Sequence, residues 1–303
     1  MNGSRRDFLG KMAAAGAALG AMSANPLGKP IGLQLYMVGD ELEKDFHGTL
    51  AAVARIGIRE VEIAANYNKP AGEWKAALSQ HGLHCRSVHL FDVSQTPEQV
   101  MSFASGVGAR YVVSSLNPPP AIAKLAGVNP DWTHMVNAVE TMTLDDWKKS
   151  AEIANGLGEQ AAKHGLLYAY HNHNVEFKKF GNTTVFEMLL ASTNPATVKF
   201  EMDCGWVSAA GYHPAEFLEK YPERIRLLHI KSLQAAPPNL HLVGPKKPVP
   251  TELERGKPDY PPIFAAAAKA QVEQYYIEQE PPFVEMPALE AARVGYEYLH
   301  SLS

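Results

Sequence analysis

Cysteine is scarce: Cys85 and Cys204 are the two thiols in 303 residues, and they form no CxxC pair. That excludes a disulfide-stapled scaffold and a cysteine zinc ribbon, and leaves either two free core thiols or a single bridge. Positive charge is not in excess. Lys and Arg total 28 against 32 Asp and Glu, a formal net charge of −4, with no basic run in the body of the chain. The electrostatic footprint of a nucleic-acid binder is therefore missing. No glycine-rich phosphate fingerprint follows the first strand-like segment, which argues against a dinucleotide-binding fold. A long apolar run is also absent. The stretch 12–24 is uncharged but short and rich in Ala and Gly, so stable membrane insertion is not expected.

That stretch is better read with what precedes it. Arg5-Arg6 and Phe8-Leu9 stand in the order S-R-R-D-F-L-G-K ahead of the Ala/Gly-rich segment, and this order looks like a twin-arginine export signal. Residues 1–26 are accordingly set aside as a signal peptide. Residues 27–303 remain as one domain, expected in the periplasm or beyond.

Hydrophobic residues make up 46% of the chain, enough for a sizeable core. Short apolar segments at 31–38, 59–64, 83–91, 109–115, 166–170, 198–202, 225–228 and 275–277 alternate with helical patterns at 42–56, 73–81, 97–106, 144–164, 184–192, 214–220, 261–270 and 288–302. Eight strand-helix units in one run predict an α/β fold of the closed (β/α)8 type, a single barrel. Two connections are too long for ordinary loops: 117–143, which opens on three prolines, and 232–260. The first follows the fourth strand, and a lid over the rim is one reading of it.

Polar side chains gather where the strands end. His171 and His173 follow 166–170 and share one face by the two-residue period, with Glu176 a few residues on. Asp203 and Trp206 follow 198–202, His229 and Lys231 follow 225–228, and Glu278 and Glu280 follow 275–277. Imidazole and carboxylate from four successive strand ends suit a divalent cation held by nitrogen and oxygen. Earlier strands add Gln34, Tyr36, Glu62 and His89 near the same mouth.

The motifs QLYMVGDELEKDF, VEIA, YHNHNVEF, LLHIKS and YYIEQE, in this order over 31–303, resemble the xylose isomerase-like barrel superfamily. This is the sugar phosphate isomerase/epimerase group, which also includes inosose dehydratases and endonuclease IV, and the match is to its exported branch. The resemblance implies a divalent metal (Mn, Zn, Mg or Co) held at His171, Asp203, His229 and Glu278. The first of these departs from the pattern, since the usual Glu-Asn-His reads His-Asn-His here. Proton transfer is then expected from His173, Glu278, Lys231, Glu176 and Glu62, with Trp206, His89, Tyr36 and Lys231 contacting substrate. The implied activity is isomerisation or epimerisation of a neutral sugar by proton transfer next to a carbonyl. The alternative is a hydratase or lyase acting on a 3-keto-sugar or keto-glycoside, and a non-catalytic sugar-binding barrel is a third reading. The expected partner is a small sugar or keto-sugar, and a homo-oligomer is compatible with all three.

Export is checked by fractionating expressing cells. The intact chain is expected outside the cytoplasm and shortened at its amino terminus, and Arg5→Lys with Arg6→Lys is expected to leave it inside. Unmutated protein that stays cytoplasmic and uncut contradicts the signal.

Overall fold

The computed structural model describes residues 25–89, 95–127, 131–283 and 285–302. Of the expected export segment, residues 1–26, the first 24 lie outside the described residues. Eight parallel strands close into a barrel: β1 (Gly32–Gln34), β2 (Glu60–Ile63), β3 (His84–His89), β4 (Tyr111–Ser115), β5 (Leu167–His171), β6 (Val198–Asp203), β7 (Ile225–Ile230) and β8 (Gln274–Ile277), which pairs back onto β1. Parallel pairing needs a crossover between successive strands. The crossovers carry α1 (Phe46–Ile56), α2 (Ala71–Gln80), α3 (Pro97–Val107), α4 (Leu144–Lys163), α5 (Val185–Ser192), α6 (Pro214–Lys220) and α7 (Tyr260–Ala267), and α8 (Ala288–Ser301) follows β8.

Local sequence accounts for these boundaries. Thr96, Thr143 and Thr184 each start a helix with a reciprocal capping box, answered by Gln99, Asp146 and Glu187, which satisfies otherwise orphaned amide donors. On α4, Trp147, Ala151, Ala154 and Leu157 are buried at helical spacing. Both cysteines are buried and free.

Two expected elements came out differently. The strand expected over 31–38 stops at Gln34, and a 3-10 turn, Leu35–Val38, follows it. The Gln34 side chain explains the break: its oxygen accepts from the Tyr36 amide at 2.7 Å, while its nitrogen donates to Glu62 Oε2 at 3.3 Å. The helix expected over 42–56 is two helices, Gly39–Lys44 and α1, separated at Asp45. Asp45 adopts φ −148°, and its carboxylate caps the Gly48 amide at 2.9 Å.

The long connection after β4 carries the short helices Pro120–Leu125 and Trp132–Glu140. The one after β7 folds back as a two-residue ladder, Ser232–Leu233 with Pro250–Thr251. Both leave the barrel at the carboxyl ends of strands, the end where this architecture places its chemistry.

Strand alternation divides the core. Residues such as Leu33, Val61, Phe200, Leu228 and Ile277 join the large apolar cluster that also takes in the helices. The alternate positions face the barrel axis, where Tyr111, Val113, Ala169, Leu227 and Tyr276 form a separate small cluster. Register then lines up the polar inward positions, pairing Gln34 with Glu62, His171 with Glu201, Asp203 with His229 and His229 with Tyr276.

Gly32 sits between two strands where a side chain has no room. A Cβ there would lie 2.5 Å from Tyr276 Cδ1 and 2.7 Å from the Tyr275 carbonyl oxygen. Gly32→Ala is expected to destabilise the fold by about 1–3 kcal/mol through overpacking, read from its urea denaturation midpoint. An unchanged midpoint contradicts this placement.

Candidate metal centre

Inward-pointing residues from alternate strands stack in tiers. Glu62 and Glu201 lie beneath three imidazoles. Glu62 Oε2 is 3.1 Å from His89 Nε2 and 2.6 Å from His229 Nε2. Glu201 Oε2 is 2.9 Å from His89 Nε2, 3.1 Å from His171 Nδ1 and 3.2 Å from His229 Nε2. Above the imidazoles stand Asp203 and Glu278: His229 Nδ1 lies 3.2 Å from Glu278 Oε2, and His171 Nε2 lies 4.0 Å from Asp203 Oδ2. Lys231 tops the column, with Nζ 3.1 Å from Asp203 Oδ2, 2.7 Å from Glu278 Oε2 and 2.9 Å from Glu280 Oε1. All but Glu280 are buried residues.

Local backbone holds the upper groups in place. Asp203 Oδ1 accepts from the Trp206 amide at 2.9 Å, capping the helix Cys204–Ala209, and the Asp203 amide donates to Asn172 Oδ1 at 3.1 Å. Asn174 donates to the carbonyls of Asn239 and His241, which ties the β5 loop to the long β7 connection. The Tyr260 hydroxyl donates to the Lys231 carbonyl at 2.6 Å.

Burial and mutual charge decide the protonation pattern. Burial alone would lower the pKa of both His89 and His229, but Glu62 and Glu201 outweigh it. His89 rises to about 9, and His229, which also faces Glu278, rises well above the ordinary value. His171 goes the other way: burial, then repulsion from His229, pushes it well below that value. His173 falls to about 3, through burial first and the Lys231 ammonium second. Burial raises Glu201 to about 7, helped by the Glu62 charge, and raises Asp203 to about 6 against the pull of Lys231. Glu62 and Glu278 are held below the usual carboxylate range despite burial, the first chiefly by His89 and His229, the second by Lys231 and His229.

Among the described residues, two groups of ligand atoms come within 4.8 Å of one another: His89, His171, Glu201 and His229, and nearer the mouth Asp203, His229 and Glu278. Both donor sets, imidazole nitrogen with carboxylate oxygen, are chemically competent for a divalent cation. The upper one already holds a positive charge: the buried Asp203 Oδ2 faces the Lys231 ammonium at 3.1 Å, so a carboxylate oxygen there is set against a cation.

The expected ligand set is thus divided. Asp203, His229 and Glu278 are brought together as expected, whereas His171 joins His89 and Glu201. His89, expected at the substrate, lies in the buried cluster. Glu62 supports it from below. Trp206 is wholly buried, and its ring holds the Lys231 ammonium at 4.8 Å, so the face expected to stack on a sugar is taken. Glu176 is not brought to either cluster. It accepts from the Tyr170 hydroxyl at 3.0 Å and from the His173 amide at 2.9 Å, and burial raises it to about 7. Tyr36 stands at the rim, 49% exposed. Sequence reasoning missed Glu201, although its two-residue offset from Asp203 between the apolar Phe200 and Met202 was a readable signal. It also missed Trp132, whose ring centroid lies 5.3 Å from that of His173.

The profile of the family described as "Xylose isomerase-like TIM barrel" matches residues 50–302. An inosose dehydratase of Bacillus anthracis is 26% identical over 201 residues, 63% of this chain and 65% of that protein, so the match spans a little under two thirds of that relative. An inosose dehydratase of Clostridium botulinum is 24% identical over 278 residues, 85% of this chain and 89% of that protein. The crystal structure of a sugar phosphate isomerase/epimerase from Parabacteroides distasonis superposes with a TM-score of 0.68 at 25% identity, covering 95% of this chain and 98% of that one.

His229 belongs to both clusters, so His229→Ala is expected to abolish metal retention after dialysis and Asp203→Ala to lower it, read by elemental analysis. Both His229 nitrogens face carboxylates, and its raised pKa keeps the ring protonated through neutral pH. A metal held by this ring would have to displace a proton from it, so retention is expected to weaken as pH falls and to strengthen as pH rises. Wild-type metal content in both variants contradicts the site.

Proposed function

The chain belongs to the xylose isomerase-like TIM barrel family, and from that premise we propose a metal-dependent hydratase or lyase that eliminates water from a 3-keto-sugar or the aglycone from a keto-glycoside. One observation carries this reading. His173, at the mouth, is buried with Nδ1 lacking a hydrogen-bond partner, and its lowered pKa leaves the ring neutral. It is an available base, because Asp203 and Glu278 are tied to Lys231, while His171, the other neutral imidazole of the column, has Nδ1 engaged by Glu201 at 3.1 Å. Epimerisation through an ene-diolate requires bases on opposite faces of the sugar, and the fifth strand presents imidazoles where the second carboxylate is usual. Elimination needs one group that takes a proton and returns it.

In this mechanism His173 removes the proton next to the carbonyl. The carbon–oxygen bond one position further breaks, a carbon–carbon double bond forms, and the imidazolium protonates the departing oxygen, which leaves as water from a free 3-keto-sugar and as the aglycone alcohol from a 3-keto-glycoside. Lys231 orients the substrate oxygens and, with Glu278 and Glu280, keeps the pocket near electroneutral. Asp203, His229 and Glu278 would hold the divalent cation, which supplies polarisation of the carbonyl and stabilisation of the developing oxyanion. Glu176 positions His173 through its amide.

The inosose dehydratase relatives support water loss over the isomerase or epimerase chemistry first expected. The Parabacteroides distasonis structure keeps proton transfer without water loss as the second reading. Export through the twin-arginine pathway fits a glycoside substrate and remains part of the proposal.

Metal-loaded protein is incubated with a panel of keto-sugars in heavy water, following absorbance of the conjugated product and deuterium at the carbon next to the carbonyl. Wild type is expected to release water. His173→Gln is expected to keep its metal and lose roughly 10²–10⁴ in rate. Product with an inverted hydroxyl and no loss of water contradicts the lyase and favours the second reading.

A further inference from the structure

The rim carries aromatic surface that the chemistry above does not use. Trp132 opens the helix Trp132–Glu140 in the connection after β4 and is 41% exposed. Its ring centroid is 5.3 Å from that of His173, which is 5.0 Å from that of His171. These rings form a path from the buried cluster to solvent. The exposed large apolar side chains among the described residues are Tyr36, Leu125, Trp132 and Val249. All of them follow β1, β4 or β7, at the carboxyl ends of the strands. Of these, Trp132 lies against the candidate base His173, so its open face is beside the place where a substrate would react.

A free keto-sugar reaching His173 and Lys231 has no need of Trp132. An indole half open to water gains when a flat ring covers it, through stacking with an aromatic face or with the CH face of a sugar. Resting on the keto-sugar reading above, we infer that the substrate is a two-ring glycoside: the keto-sugar sits between His173 and Lys231, and a second ring joined through the glycosidic oxygen lies on Trp132. Trp132 is then the residue that selects glycosides over free sugars. The second ring is either an aryl aglycone or another sugar, which share the flat face that Trp132 recognises.

Calorimetric titration of metal-loaded protein with methyl, phenyl and glucosyl glucopyranosides, which lack the carbonyl and cannot react, separates these cases. Wild type is expected to bind at least one two-ring ligand roughly 2- to 10-fold more tightly than the methyl glycoside. Preference for the phenyl compound alone identifies an aryl aglycone, preference for the disaccharide alone a second sugar, and preference for both a flat face of either kind. Trp132→Ala is expected to bring the affinity ratio to about one, and Trp132→Phe to keep most of it. Equal affinities for all three ligands, no binding of any, or a ratio that survives Trp132→Ala overturns the inference. A ring preference that holds in a protein releasing neither water from keto-sugars nor aglycone from keto-glycosides leaves this subsite standing and removes the lyase reading. Elimination with equal affinities does the reverse.

Discussion

Charge neutrality inside the barrel is the constraint on which the rest of the site depends. Glu62, Glu201, Asp203 and Glu278 all project into one closed interior, and removing each charge from water costs several kcal/mol unless a partner restores it. The partners are His89 and His229, raised to hold their protons, and Lys231, held above its ordinary pKa by Asp203, Glu278 and Glu280 despite burial. His171 is left neutral because its neighbours already carry the positive charge. Three positive charges thus face four carboxylates, and Glu201, raised to about 7 by burial and by the Glu62 charge, narrows the difference by holding its proton more tightly; a cation held by Asp203, His229 and Glu278 would meet a site whose charge is already largely balanced.

The fold makes this arrangement affordable. A closed barrel aims every second side chain at one axis, so residues distant in sequence meet without long or flexible reach. Glu62 and His229, separated by 167 positions, stand 2.6 Å apart. Apolar residues plug the axis below the polar column, and the two long connections depart from the strand ends above it. One of them contributes Lys247, which pairs with Glu280 at 2.5 Å and extends the charge matching to the rim.

Much of this was legible in the sequence, for physical reasons that can be named. The eight strand-helix units were readable because each strand is a short apolar run, and in β6 and β7 that run closes on polar groups, Asp203 after Met202 and His229 with Lys231 after Leu228. The tiers were not. Strand period assigns Glu62, His89 and Glu201 to the inward face, but the stagger between strands fixes their height along the axis, and stagger depends on long-range pairing and on the register shifts at Val61/Glu62 and Phe200/Glu201. His171, grouped by sequence with Asp203 and Glu278, stands between the tiers, with Nδ1 3.1 Å from Glu201 and Nε2 4.0 Å from Asp203. Glu176 misled because a carboxylate near two histidines looks catalytic, whereas the turn Val175–Phe177 carries it to Tyr170. The first strand was read too long because the alternation of apolar residues continues through the turn that Gln34 initiates.

The central claim is that imidazole and carboxylate from different strands share one divalent cation. X-ray absorption on zinc-loaded protein tests it most directly, since a ligating imidazole adds outer-ring scattering to nitrogen and oxygen donors at about 2.0–2.2 Å. The account predicts at least one imidazole in the wild-type coordination shell, and its disappearance in His229→Ala. A shell of oxygen alone, the same in both proteins, would contradict it.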